Sequence, residues 1–254
     1  MSNLLSCNLG SYQRYRDTGY AHLQNIGIRH VEIPAPSPEN SEAVGETLGY
    51  FGLSASTLMI RGDIRNENVV EEFMPGFIAA EKLGVRTIFT SLKAGDVPLE
   101  KVHERLRAIG DAAAAHRVTV ALETHPDLCE NASTALRTVK AVDHPRIRIN
   151  FDTANIYYYN EGVDVIAELQ KIADYVASIH LKDTNGAYKT WYFPTLGEGI
   201  VDFKQVFDIM NARGMRGPFT MELEGIQGEK LDLRQQHERV KKSVEHLRRI
   251  GAID

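Results

Sequence analysis

Apolar positions recur along this chain in two alternating rhythms. Short runs rich in β-branched and aromatic residues read as strands: LLSCNL (4–9), HVEIPA (30–35), LSASTLMI (53–60), VRTIFTSL (85–92), VTVALETH (118–125), IRINFDTA (147–154), VASIHLKD (176–183) and PFTMELEG (218–225). The stretches between them space apolar residues three or four apart and read as helices. These include YRDTGYAHLQNI, NVVEEFMPGFIAAEKL, LEKVHERLRAIGDAAAAH, STALRTVKAV, VDVIAELQKIAD, DFKQVFDIMNAR and, last, LRQQHERVKKSVEHLRRIG. Strands that alternate with helices imply parallel βαβ units. Gly27, Gly52, Gly84 and Gly214 stand where helical runs give way to the next strand. A left-handed cap is wanted there, and glycine adopts it without strain.

Eight such units in 254 residues take about 32 residues each, which fits a closed eight-stranded barrel. An open doubly wound sheet competes, but it more often carries a glycine-rich phosphate loop after its first strand. Here that turn reads NLGSYQRYR. No linker or shift in composition divides the chain. The expectation is an α/β protein in which residues 1–254 form a single domain, a (β/α)8 TIM barrel.

Alternation inside four strands adds chemistry, because successive strand residues face opposite sides of a sheet. In VTVALETH, Val118, Val120 and Leu122 share one side, and Glu123 and His125 the other. In IRINFDTA, Ile147, Ile149 and Phe151 oppose Asp152; in VASIHLKD, Ile179 and Leu181 oppose His180 and Lys182. In PFTMELEG, Phe219, Met221 and Leu223 oppose Glu222 and Glu224. Bulky apolar groups thus point at the helices, and an acid or imidazole points at the barrel axis late in each strand. In such barrels the carboxyl ends of all strands open on one mouth, where active sites are built.

Glu123, Asp152, His180 and Glu222 converge there, with Glu224 equivalent to Glu222 by parity. Three carboxylates and an imidazole repel or titrate unless a cation joins them. An oxygen-rich set with one nitrogen suits Mn²⁺, Mg²⁺ or Co²⁺. Taken singly, each is more simply a strand-end polar residue held by a salt bridge or an amide. Four at matching depth and parity on neighbouring strands favour one divalent metal ion.

Composition narrows the partners. The chain is 43% hydrophobic and 25% charged, with 29 Lys+Arg against 34 Asp+Glu, a formal net charge of −5. That excludes disordered and disulfide-scaffold classes and argues against nucleic acid or an anionic membrane as a partner. Cys7 and Cys129 show no metal-ligand spacing, MSNLLSCNLGSYQRYR lacks a signal peptide's apolar core, and no apolar run nears the roughly 20 residues of a membrane span. A cytoplasmic protein is expected.

The ordered set LETHPD, NFDTAN, IHLKDT, LGEGIVDF and FTMELEG resembles the xylose-isomerase-like TIM-barrel superfamily of sugar isomerases and epimerases. The resemblance spans nearly the whole chain and is strongest from residue 118 onward. It implies metal-ligand roles for Glu123, Asp152, His180 and Glu222, favouring Glu222 over Glu224. Ketose epimerases of that superfamily usually place a histidine where this chain has Asn155 and an arginine where it has Gly186. Histidines often found at the third and fourth strand ends are absent from STLMI and IFTSL.

A sugar carbonyl and an adjacent hydroxyl chelate one divalent ion, which stabilises the enediolate left when a neighbouring C–H is deprotonated. Glu123 and Glu222 are the paired acid and base for proton removal and return. Return on the opposite face gives an epimer, return to the next carbon an isomer, and departure of a β-group an elimination. The expected activity is a metal-dependent isomerase or epimerase of a keto-sugar, with Mn²⁺ favoured. The alternative is a lyase or dehydratase acting on a keto-sugar, keto-inositol or 3-keto-glycoside. An abasic-site endonuclease is disfavoured, since of nine histidines only His125 and His180 lie at strand mouths. A non-catalytic sugar-binding barrel is disfavoured by the complete ligand set.

Around the substrate we expect His125, Lys182, Asn155, Trp191 and Glu198. His125 is equally a loop histidine, and Lys182 has salt bridges to Asp183 or Glu224 as its plainer use. Inward-pointing Glu32 is either a support for the metal site or a structural acid. Trp191 and Phe193, in the long loop NGAYKTWYFPTLGEG, face a sugar or aglycone or else a second copy in a homo-oligomer, as does the Tyr157-Tyr158-Tyr159 run. No glycine-rich phosphate cradle is visible, so a free sugar or glycoside is favoured.

Overall fold

Eight parallel strands close into one ring in the computed structural model, which describes residues 2–254. They are β1 (Leu5–Asn8), β2 (His30–Pro34), β3 (Ser54–Met59), β4 (Thr87–Thr90), β5 (Thr119–Glu123), β6 (Ile147–Asp152), β7 (Val176–Leu181) and β9 (Phe219–Met221). Ring order follows sequence order, and β9 closes the ring by pairing Met221 with Cys7 of β1. The fold is a (β/α)8 barrel. A second, two-stranded antiparallel sheet joins β8 (Tyr192–Phe193) to β10 (Gly225–Ile226). The sequence pattern gives no sign of it, because two residues per strand are too few to alternate.

Helices α1 (Gly19–Asn25), α2 (Ser41–Tyr50), α3 (Val69–Leu83), α4 (Leu99–Ala115), α5 (Ala132–Val142), α6 (Asn155–Tyr159), α7 (Val165–Ile172), α8 (Phe203–Ala212) and α9 (Leu233–Arg249) connect the strands. Gly27, Gly52, Gly84 and Gly214 follow α1, α2, α3 and α8 with φ of 81°, 61°, 70° and 79°, the left-handed turns expected of them. The first helix is shorter than its apolar pattern. Residues Leu9–Thr18 wind as a 3-10 segment interrupted at Gln13, whose φ is 49°. No helix among the described residues is long and apolar enough to cross a membrane.

Outward-facing Leu58, Ile88, Val120, Ile149, Ile179 and Phe219 are buried against the helices, each such burial contributing about 1.5–3 kcal/mol. The inward side differs. Two residues before Glu123, Asp152, His180 and Glu222 stand Ala121, Asn150, Ser178 and Thr220, all buried. This layer is small, where barrels usually carry bulky branched residues, so the ligand layer rests on a narrow polar floor.

The strands also end earlier than their sequence runs. At β6 the cause is visible: Asp152 Oδ1 accepts the N–H groups of Ala154 and Asn155, both at 2.9 Å, and turns the chain into α6. Lys182, Glu222 and His125 therefore sit just beyond strand ends rather than within them.

Candidate active site

Adjacent strands bring four side chains to one point. Glu123 ends β5, Asp152 ends β6, His180 is in β7 and Glu222 follows β9. One ligand atom from each lies within 4.8 Å of the others. Asp152 and His180 are fully buried. The two N–H bonds to Asp152 Oδ1 leave Oδ2 facing the cluster.

Glu32 of β2 lies beneath. His180 Nε2 is 3.1 and 3.2 Å from its two carboxylate oxygens. A carboxylate only accepts, so Nε2 carries the proton and donates. Asn8 Nδ2 donates to Glu32 Oε1 at 2.8 Å and fixes the carboxylate in turn. His180 Nδ1 is left pointing the other way, 3.4 Å from Glu222 Oε2 and 3.9 Å from Asp152 Oδ2. These three buried atoms make no hydrogen bond. Hard oxygens and one imidazole nitrogen, convergent and without hydrogen bonds, fit a divalent cation.

Lys182 balances part of the charge. Its Nζ donates to Glu224 Oε2 at 2.8 Å and Asn155 Oδ1 at 3.3 Å. It also lies 3.0 Å from Asp152 Oδ2 and 2.6 Å from Glu222 Oε2, as ion pairs off the hydrogen-bonding directions. Burial works against the ammonium, and Asp152, Glu222 and Glu224 outweigh it, holding Lys182 protonated well above the usual range. Burial likewise opposes charge on His180, and Glu32 and Glu222 overcome it.

The two candidate acid–base residues are pushed apart. Burial, and then the Glu222 charge, lift the Glu123 carboxyl to about 8. Burial would lift Glu222 too, but Lys182 and His180 hold it well below the usual carboxylate range. The difference is one of neighbours, since the nearest hydrogen-bond donor to Glu123 is Asn155 Nδ2 at 3.4 Å. Two carboxylates in unlike environments suit unlike proton-transfer roles.

A cavity of about 520 Å³ opens above the cluster, and Glu123, His125, Asn155, Lys182, Trp191 and Glu222 all line it. Tyr159 OH donates to His125 Nε2 at 2.6 Å, and His125 Nδ1 faces Pro126 O at 3.2 Å. Burial lowers the His125 pKa, in keeping with a neutral ring that accepts from the phenol. Glu198 is placed elsewhere. It is exposed and lines a separate cavity of about 480 Å³ with Glu229, Asp232 and Arg239. Buried Asp183 is the reason: its carboxylate accepts the N–H groups of Gly197, Gly199 and Val201 at 2.8, 2.9 and 3.1 Å. That loop is pinned with Glu198 pointing away from the cluster.

Lining residues that the sequence pattern does not single out include Phe89 and Arg61, while Tyr158 and Tyr159 come from the tyrosine run it names. Phe89 packs on the His180 ring at 4.5 Å. Tyr159 had a usable signal, since it stands four residues after Asn155 on α6 and so shares its face. Arg61 lies beyond β3, where alternation no longer applies.

A family model described as xylose isomerase-like TIM barrel matches residues 21–250. An L-ribulose-5-phosphate 3-epimerase from Salmonella paratyphi A is 29% identical over 153 residues, 57% of this chain and 52% of that protein. The chain thus spans about half the length of the curated relatives it matches. A D-psicose 3-epimerase from Clostridium cellulolyticum superposes with a TM-score of 0.79 at 15% identity, covering 97% of this chain and 98% of that one. A xylose isomerase domain protein from Planctomyces limnophilus gives 0.74 at 22% identity, covering 97% and 95%.

Proposed function

The chain belongs to the xylose isomerase-like TIM-barrel family, and from that premise we propose that it is a divalent-metal-dependent isomerase or epimerase of a keto-sugar. The carrying observation is the convergence of Glu123, Asp152, His180 and Glu222 within 4.8 Å at the foot of a cavity. The epimerase activity of the Salmonella relative supports the same reading. These four residues would hold a divalent ion, Mn²⁺ by preference, which would supply polarisation of the substrate carbonyl and positive charge against the anion left by proton removal.

The chain's own groups do the rest. Glu123 and Glu222 arrive from β5 and β9 with β6 and β7 between them, so they approach a substrate from different sides. One removes the proton next to the carbonyl and the other returns one. Return on the opposite face inverts that carbon; return to the former carbonyl carbon, with the neighbouring hydroxyl proton passing to the former carbonyl oxygen, moves the carbonyl. Lys182 and Asn155 hold the carboxylates in place. His125, kept neutral and oriented by Tyr159, offers a further polar contact at the mouth.

A second reading, elimination, draws on Glu224. It is a third carboxyl in the same cavity, outside the four-residue set, with its side chain 34% exposed. Incubation with a panel of ketoses in heavy water separates the two. Solvent deuterium in the sugar, without loss of water or aglycone, is the outcome expected; release of either marks a lyase. Glu123→Gln and Glu222→Gln should each slow exchange by about 10²- to 10⁴-fold, and full activity in both would sink the two-acid scheme. No exchange with any keto-sugar points to a binding barrel.

A further inference from the structure

The keto-sugar reading leaves the far part of the substrate undefined, and the rim of the cavity defines it. Tyr158, Trp191 and Phe193 form an aromatic wall. Ring centroids are 5.1 Å apart for Trp191–Phe193, 6.1 Å for Tyr158–Trp191 and 6.0 Å for Tyr158–Phe193. Backbone bonds fix the wall on both sides. β8 is paired with β10, the Gln227 N–H donates to Trp191 O at 2.9 Å, and the Lys189 N–H donates to Tyr158 O at 3.0 Å. Phe193 is buried at its base, while Trp191 keeps 40% of its surface exposed. A rigidly held indole left open over a cavity is a ready partner for another flat apolar group.

The space is larger than the chemistry needs. About 520 Å³ falls within the range of about 300–1,000 Å³ typical of sites enclosing drug-sized molecules. Chelation and proton transfer occupy only the carbons nearest the cluster.

Charge argues against a phosphoryl group as the additional part. Phosphate recognition draws on several converging donors, such as paired guanidinium N–H groups or a helix N-terminus. The ammonium of Lys182 is engaged by Asp152, Glu222 and Glu224. Asp152 uses the N–H groups that open α6. Arg61, exposed past the end of β3, is the other cation of the lining. A phosphoryl group there would also face Glu123 and Glu224.

We propose that the substrate carries a flat apolar substituent, an aryl or similar aglycone, seated against Trp191 and Tyr158 while its sugar end reaches the Glu123–Glu222 cluster. This rests on the keto-sugar reading above and narrows its substrate class to apolar glycosides.

Trp191 is the chain's one tryptophan, so intrinsic fluorescence reports on the wall directly. The full chain with added Mn²⁺ is titrated with phenyl β-D-glucopyranoside, methyl β-D-glucopyranoside and D-glucose 6-phosphate. The expected result is a saturable change with the phenyl glycoside binding on the order of tenfold tighter than the methyl one. The phosphate should bind no tighter than the methyl glycoside. Trp191→Ala, followed by calorimetry because the fluorophore is gone, and Tyr158→Ala should each erase the phenyl advantage. Equal affinity for phenyl and methyl, binding of neither, preference for the phosphate, or a phenyl advantage that survives both substitutions overturns the proposal. Heavy-water exchange is scored separately. Exchange without phenyl preference defeats the aglycone alone, and phenyl preference without exchange defeats the isomerase reading alone.

Discussion

His180 shows how one buried contact sets the chemistry of a site. A carboxylate on one ring nitrogen fixes the tautomer and turns the other nitrogen toward the ligand position. Glu32 is that carboxylate, and Asn8 braces it. Glu32→Ala should therefore weaken Mn²⁺ binding by about ten- to a hundredfold, and Glu32→Gln, which still accepts from Nε2, by less. Calorimetric titration of metal into each variant checks this; unchanged affinity in Glu32→Ala would leave Glu32 no orienting role. Strand parity alone turned Glu123, Asp152 and His180 toward the axis, because a period of two leaves little freedom near a strand's end, but it left Glu222 and Glu224 equivalent, and only the family resemblance favoured Glu222. Glu198 was not legible. Its direction is set by Asp183, whose four backbone partners include Thr184 N–H at 2.9 Å as well as those of the 197–201 segment. Nothing in Gly-Glu-Gly announces such an anchor.

At the scale of elements, the sequence pattern carried the eight βα units but overran strand ends, because alternation continues into turns where pairing has stopped. It also read residues 15–26 as one helix, whereas the positive φ at Gln13 belongs to a 3-10 segment that precedes a short α1. A pair of stacked imidazoles bridges α1 and α9. His22 and His237 lie 4.1 Å apart at 15°. Tyr12 OH bonds His22 Nδ1 and Thr18 Oγ1 bonds His237 Nε2, both at 2.8 Å. Burial, with His237 and Lys241 adding, lowers His22 from 6.5 to about 4, and burial lowers His237 as well. Above pH 6.5 the ring is neutral folded or unfolded, so it adds no pH dependence. Between about 6.5 and 4 the unfolded chain takes a proton that the folded one refuses, so stability falls as pH drops. Thermal melts from pH 7.5 to 4.5 should show this decline, and it should be shallower in His22→Asn. An identical slope in that variant would show the pair to be electrostatically silent.

At the scale of the whole molecule, the candidate metal site bears on how the ring is held closed. β5, β6, β7 and the turn after β9 supply the four residues, and β2 joins them through Glu32 and His180. An ion bound there would tie five of the eight barrel strands into one polar node above a floor of small side chains, and would take a formal charge of −5 two units toward neutrality. A ligand that binds only the folded state stabilises it by RT ln(1 + [L]/Kd), about 2.7 kcal/mol at a hundredfold excess over Kd. For a chain of this length each kcal/mol moves Tm by about 2–4 °C. Mn²⁺ at that excess should therefore raise Tm by roughly 5–10 °C over chelator-treated protein. Because the node spans strands on both sides of the β1–β9 closure, the shift should appear in one cooperative transition rather than as a separate late step. Asp152→Asn removes a charged member of the set while keeping an oxygen able to accept from Ala154 and Asn155, so its fold should persist and its Mn²⁺-dependent shift should shrink. Calorimetric melts of the two proteins with and without Mn²⁺ decide the matter: an equal shift in both would mean that the ion stabilises the barrel from some other place.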